Sequence, residues 1–179
     1  GVARLVADKL SRAWGQPVTV ENRPGGNGFI AIDAFKRGAT DGHDLIQVDN
    51  VHLTAYPHLF KKLPYDAKND FDVLLPLFKT YFFFTTSANS KYKNVADIVA
   101  DAKANPGKLN YGSWSVGNPV HLGSALFETV TGTEMQHVIY KETTQLYTGV
   151  ATGEEDFAPG TSDPAGPLYR AGKIEFLAS

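Results

Sequence analysis

The sequence predicts an α/β protein in two lobes with mixed, largely parallel sheets. Two observations carry that expectation. Short apolar, β-rich runs alternate with segments of helical period along the chain, and strands separated by helices belong to parallel β-α-β units. Helix starts are marked by polar caps, twice followed at once by proline, at Asn118-Pro119 and Asp163-Pro164. Proline suits a first turn because its φ is already helical and its missing N–H would have had no partner there.

The elements follow in order. Val2, Leu5, Val6, Leu10 and Ala13 recur at helical spacing and Gly15 supplies a stop, so residues 2–14 read as an amphipathic helix. Residues 18–20 read as a strand, 23–28 as a Pro-Gly-rich loop, 29–36 as a helix and 45–48 as a second strand. A mixed segment runs over 57–70. The apolar runs 71–78 and 81–86 then read as buried strands. Asn94 caps a helix through Ala104, and Asn118 and Asp163 open two more. Strand candidates fall between these helices at 109–111, 137–140, 156–158 and 174–177. A seam near Thr80 divides the chain into lobes at 1–79 and 80–179.

Composition narrows the function classes. Hydrophobic residues make up 42% and charged residues 20% of the 179, which excludes a largely disordered chain. A formal net charge of −2 leaves no basic footprint for a phosphate backbone, so nucleic acid is not an expected partner. Without cysteine, disulfide scaffolds, zinc ribbons and thiol catalysis fall away, while the redox compartment stays open. No apolar run approaches the roughly 20 residues that span a bilayer. No leader is visible, but the chain opens inside a helical pattern, which fits a processed start.

The most informative stretch is Asn110-Tyr111-Gly112-Ser113-Trp114-Ser115-Val116-Gly117-Asn118-Pro119-Val120-His121, a strand running through a small-residue loop into a capped helix. Free amides at a helix N-terminus carry partial positive charge, so a carboxylate near Gly117 and Asn118 gains hydrogen bonds without a basic side chain. Ser113 and Ser115 add hydroxyl donors. Simple capping explains the same residues equally well. Asn50, His52 and Thr54 follow the strand at 45–48, and Tyr140, Lys141, Thr143 and Thr144 follow that at 137–140. Both groups occupy positions where an α/β cleft takes its polar side chains, with Lys141 able to balance a carboxylate and one of the threonines capping the next helix, although a solvated loop explains the first group and a surface lysine Lys141 at least as well.

Two enzyme readings compete. The frame Ser113-x-Ser115-x-Gly117 is like a nucleophile elbow, with Ser115 as the nucleophile of a hydrolase. However, Asn118-Pro119 start the helix too late, and no aspartate lies between Ser115 and His137, the only histidine beyond that helix. Gly26-Asn27-Gly28-Phe29-Ile30-Ala31 fits the fingerprint of a nicotinamide-dependent oxidoreductase, with Asp49 placed for a ribose. Here residues 21–25 make the turn after the strand too long. The five histidines, His43, His52, His58, His121 and His137, are scattered without metal-ligand spacing, so no metal and no other cofactor is expected.

Several stretches together resemble a known family. They are Val18-Thr19-Val20-Glu21-Asn22-Arg23-Pro24-Gly25, Asp41-Gly42-His43, Leu63-Pro64-Tyr65-Asp66 with Asp70-Phe71, and Ala102-Lys103-Ala104-Asn105-Pro106-Gly107-Lys108-Leu109. Tyr111-Gly112-Ser113, His121-Leu122, Tyr140-Lys141, and Ala171-Gly172-Lys173 leading into Phe176-Leu177-Ala178 complete the set. In that order they resemble the tripartite tricarboxylate transporter substrate-binding receptors, also called Bug receptors.

The resemblance implies a type II periplasmic binding-protein fold whose two lobes close over a small organic carboxylate. It also implies a periplasmic, monomeric receptor that delivers its ligand to membrane transporter subunits and catalyses nothing. Backbone amides of one loop per lobe would hold the carboxylate, the second loop being Ser113, Trp114, Ser115, Val116, Gly117 and Asn118. That favours ligand contact over simple capping there. It further implies that an opening strand with its proline-glycine loop precedes Gly1 and that a return segment follows Ser179, so the first lobe is expected to be incomplete. Trp114 replaces a small family residue and Glu142 a glycine. Trp114, together with the aromatic run at 82–84 and Tyr147, points to an aromatic carboxylate such as terephthalate ahead of aliphatic acids.

Overall fold

A computed structural model describes residues 1–178, and the chain divides into two compact units, Gly1–Phe78 and Lys79–Ser179.

In the first unit, α1 (Val2–Trp14) ends at Gly15, whose φ of 64° is the left-handed stop that glycine supplies without strain. A short 3-10 turn (Gly26–Gly28) leads into α2 (Phe29–Lys36), and two single turns follow, α3 (Val51–Thr54) and α4 (Tyr56–Leu59). Aromatic rings form the core of this unit. Phe29 meets Tyr56 and Phe60 edge-on at 5.8 and 5.4 Å, Tyr65 meets Phe71 at 5.5 Å, and the Tyr65 hydroxyl donates to the His52 carbonyl at 2.7 Å.

The strands expected at 18–20, 45–48 and 71–78 do not form. All three segments lack ladder hydrogen bonds, and Val73, Leu74 and Leu75 are 71%, 70% and 62% exposed rather than buried. A strand exists only when a neighbour takes its N–H and C=O groups. No such neighbour occurs among the described residues of this unit.

The second unit alternates as expected: β1 (Phe83–Ser87), α5 (Val95–Ala104), β2 (Asn110–Ser113), α6 (Pro119–Thr131), β3 (Gln136–Ile139), α7 (Thr143–Thr152), β4 (Ala158–Gly160), α8 (Ser162–Arg170) and β5 (Ile174–Ala178). β2 and β3 pair in parallel, and a parallel bridge from Tyr111 to Phe157 joins β2 to the start of β4. β1 lies antiparallel between β4 and β5. Four strands therefore share one direction and β1 alone is reversed, so the sheets are mixed.

Helix starts behave unevenly. Asn94 caps α5 in a reciprocal box with Asp97. By contrast, α8 begins at Ser162 with Thr161 as its cap residue, two residues before the expected cap Asp163. Pro164 then sits in the third position, where a missing N–H still costs nothing. β4 starts later than expected because Asp156 is held by side chains: its N–H donates to Asn110 Oδ1 at 2.7 Å, and its carboxylate accepts from Asn110 N at 2.9 Å.

Two apolar layers cover the sheet. Ile98, Tyr111, Met135 and Phe157 form one, and Leu146, Tyr147, Val150, Ala158 and Ile174 the other. Gly112 lets α7 approach β2, since a Cβ there would come within 2.1 Å of Leu146 Cδ1. Truncating Leu146 to Ala should lower stability by about 2–5 kcal/mol, read as a fall in the urea midpoint.

Glu155 is 2% exposed. Its Oε1 accepts from the Tyr140 hydroxyl at 2.8 Å, while Oε2 has no hydrogen-bond partner among the described residues. Burial raises its pKa, the Tyr140 bond opposes this, and the nearby Glu154 and Asp156 carboxylates add to it. The folded protein therefore holds this proton more tightly than the unfolded chain does. The associated stability is present below the ordinary glutamate range and is lost as pH rises through the raised folded value. Glu155→Gln keeps an acceptor for Tyr140 and should flatten that loss, giving a higher urea midpoint than wild type at about pH 8 and a smaller difference near pH 4.

Candidate functional site

Because β2, β3 and β4 run in one direction, their carboxyl ends lie at one end of the sheet. There α6, α7 and α8 begin, each directly after its strand. Helix N-termini leave N–H groups without partners and carry partial positive charge, so this end favours an anion.

The loop from Ser113 to Asn118 follows β2, and Asn118 organises it. Asn118 Oδ1 accepts from the N–H groups of Val120 at 2.8 Å and His121 at 3.1 Å, capping α6. Its Nδ2 donates to the Ser113 hydroxyl at 3.1 Å and to the Ser115 carbonyl. Asn118 is thus fully engaged inside the loop, and capping is its role here. Ser113 is wholly buried and its Oγ lies 2.6 Å from His137 Nε2. The Gly117 amide donates to His121 Nδ1 at 3.0 Å. Among the described residues no hydrogen bond engages the amides of Ser115 and Val116. Val116 is 52% exposed, and Trp114 is half-buried against the layer formed by Leu146 and Tyr147.

His121 and His137 stack at 4.3 Å, and Tyr111 stacks on His137 at 5.1 Å. Burial lowers both histidine pKa values. That of His137 falls to about 4, with the adjacent His121 contributing; for His121 the Glu128 carboxylate opposes the shift. Both rings are neutral at physiological pH. Sequence reasoning treated these histidines as scattered. The missed signal was that His121 stands three residues after a capping asparagine, where its side chain folds back on the loop.

The remaining expected residues divide between the units. Thr143 and Thr144 open α7, where Glu142, not a threonine, is the cap residue and makes no side-chain cap bond. In the first unit Asn50 is exposed at the start of α3. His52, expected to meet the ligand, is instead buried, with Nδ1 3.0 Å from the Asp49 carbonyl and Nε2 2.8 Å from the Asn27 carbonyl. It ties the glycine turn to α3. Gly28, at φ 84°, is needed beneath it, since a Cβ would lie 2.7 Å from His52 Nε2.

The enzyme readings lose their geometry. Ser115 Oγ has Asn118 as its only side-chain partner among the described residues, at 3.4 Å. The serine that does meet a histidine, Ser113, is sealed from substrate. The Gly26 turn follows no strand, and no group of His, Asp or Glu suited to a metal ion occurs among the described residues.

Comparison with known proteins decides the family. The family described as tripartite tricarboxylate transporter family receptor matches residues 2–179. This chain belongs to that family. The UPF0065 protein in the gbd 5' region of Cupriavidus necator is 31% identical over 98% of this chain and 53% of its own length, and protein BugT of Bordetella pertussis 27% over 99% and 55%. The chain therefore spans about half the length of these curated receptor relatives. A solved R. palustris protein with adipate is 29% identical, with a TM-score of 0.85 over 99% of this chain and 59% of that one. Another, described as a periplasmic transporter, is 28% identical at a TM-score of 0.79, over 99% and 59%. The receptor fold is accordingly periplasmic binding protein-like. No helix among the described residues is long and apolar enough to cross a membrane.

Substituting Asn118 should separate its two roles. Asn118→Ala should cost about 1–3 kcal/mol in urea unfolding. Asn118→Asp, which keeps the cap and loses the Nδ2 donor, should cost less.

Proposed function

We propose that this chain is part of a periplasmic receptor that captures a small organic carboxylate and passes it to membrane transporter subunits, without chemical change to the ligand. The observation that carries this reading is the pair of unclaimed amides at Ser115 and Val116, at the end of the sheet where three helices begin. Two adjacent donors suit the two oxygens of a carboxylate, and the helix dipoles favour its charge. A basic side chain is not required, although Lys141 is exposed after β3. Adipate in the R. palustris relative supports an organic acid as the ligand class.

In this reading residues 1–79 and 80–179 are the two lobes. The unpaired apolar segments at 18–20, 45–48 and 71–78 support a first lobe whose sheet is completed by further sequence, of the kind the longer relatives carry. Within the second lobe, Trp114, Ser115 and Val116, with Thr143 and Thr144 at the start of α7, border the ligand; Asn50 is the exposed candidate within the first. The half-exposed Trp114 beside Val116 favours an aromatic acid such as terephthalate, because an indole offers a flat apolar face next to the anion donors.

Thermal unfolding of the whole protein tests this. Adipate or terephthalate at 100 times its dissociation constant contributes about 2.7 kcal/mol and raises the melting point by a few degrees. Neutral adipamide should leave it unchanged. No shift with any carboxylate, or an equal shift with adipamide, overturns the receptor reading, and a larger shift with adipate than with terephthalate at equal concentration overturns the aromatic preference.

A further inference from the structure

The contact between the Gly117 amide and His121 Nδ1, at 3.0 Å, has a defined polarity. A backbone N–H can only donate, so Nδ1 must present its lone pair, and the ring proton resides on Nε2. An imidazolium carries N–H at both nitrogens and would set one donor against another. The same residue is tied at its main chain, since the His121 amide donates to Asn118 Oδ1 at 3.1 Å. Its ring is held by the stack on His137. Main chain and side chain of one residue therefore fasten both Gly117 and Asn118. Gly117 is buried with φ 84°, a left-handed conformation that glycine adopts without strain. With the amides of Gly117, Val120 and His121 all claimed, those of Ser115 and Val116 stay open.

We propose that His121 is the positioning residue of this loop, a latch that closes only while its imidazole is neutral, so that carboxylate capture weakens as the ring takes up a proton. The capture half of the proposal rests on the receptor reading above, and the latch does not.

The groups around the ring fit a latch that is closed at neutral pH. Glu128 faces His121 from its own helix and attracts a proton, while His137 from β3 stacks on the His121 ring and Tyr111 from β2 stacks in turn on His137. The loop side chain bonded to His121, Asn118, is uncharged. Burial opposes the proton and outweighs Glu128.

Nitrogen-15 NMR of the whole protein, with His121→Asn and His121→Ala variants, tests the latch. Asparagine places an acceptor oxygen near the Nδ1 position and does not titrate, and His137 is present in all three proteins. Wild type should show His121 as the Nε2–H tautomer at neutral pH, with a Gly117 amide resonance that moves as His121 titrates. In His121→Asn that resonance should stay flat over the same range. Adipate affinity near pH 7 should fall about tenfold in His121→Ala and change less than about twofold in His121→Asn. Between pH 7 and 5, wild type should lose affinity that the asparagine variant keeps, the titration of adipate itself being common to both. An Nδ1–H tautomer, a Gly117 amide indifferent to the His121 titration, or an alanine variant that binds as wild type does would overturn the proposal. If no variant binds adipate or terephthalate, the receptor reading fails, and the latch is judged on the tautomer and the Gly117 resonance alone.

Discussion

The candidate site depends on the side chain of Asn118. An asparagine is the one residue that can cap a helix with its oxygen while its nitrogen clamps the loop before that helix, because its amide offers acceptor and donor on the same rigid plane. Here Oδ1 takes the first two amides of α6 and Nδ2 takes Ser113 and Ser115. Serine or aspartate would cap as well but would release the loop. The wholly buried Ser113 hydroxyl, shared between Asn118 and His137, extends that clamp into the sheet. The loop is consequently set by neutral hydrogen bonds, whose strength in a partly buried site depends little on salt.

An anion site built this way differs from one built on lysine or arginine. Its donors are fixed to the main chain, so they lose no side-chain entropy when the ligand arrives. Its charge is partial, so selectivity falls to the shape and apolar character of the walls, the part given to Trp114 and Val116 in the proposed receptor site. That division of labour suits a family whose relatives share a fold while keeping less than a third of their sequence in common with this chain.

Much of the second unit was legible in the sequence, and the reasons are local. α5 and α6 announce themselves through Asn94 and Asn118, and the strands between them are apolar runs bounded by polar turns. The single reversed strand, β1, was not legible, because local alternation says nothing of which strand is inserted between β4 and β5. In the first unit the runs at 18–20, 45–48 and 71–78 carry strand-like residues without a ladder, since β propensity describes a fit to neighbours rather than an intrinsic state. The loop after β2 was singled out, but not the division of work within it. Capping and ligand contact require the same residue types, and only the partners of Asn118, Ser113 and Gly117 show which amides are used up and which stay open. The setting of His52 was not legible for a similar reason: its position after a strand-like run fits a cleft, whereas its burial against two carbonyls is a tertiary fact.

In both units a histidine fastens a glycine-bearing loop, with opposite polarity. His52 has a carbonyl oxygen facing each ring nitrogen, from Asp49 at Nδ1 and from Asn27 at Nε2. His121 faces a backbone amide, so its Nδ1 must accept. A hydrogen added at Nδ1 of His121 meets another donor. The stacked His137 adds to this asymmetry, since a charge on either ring of that pair raises the cost of charging the other. The proposed sensitivity to acid therefore belongs to the loop after β2, where the amides of Ser115 and Val116 stay open.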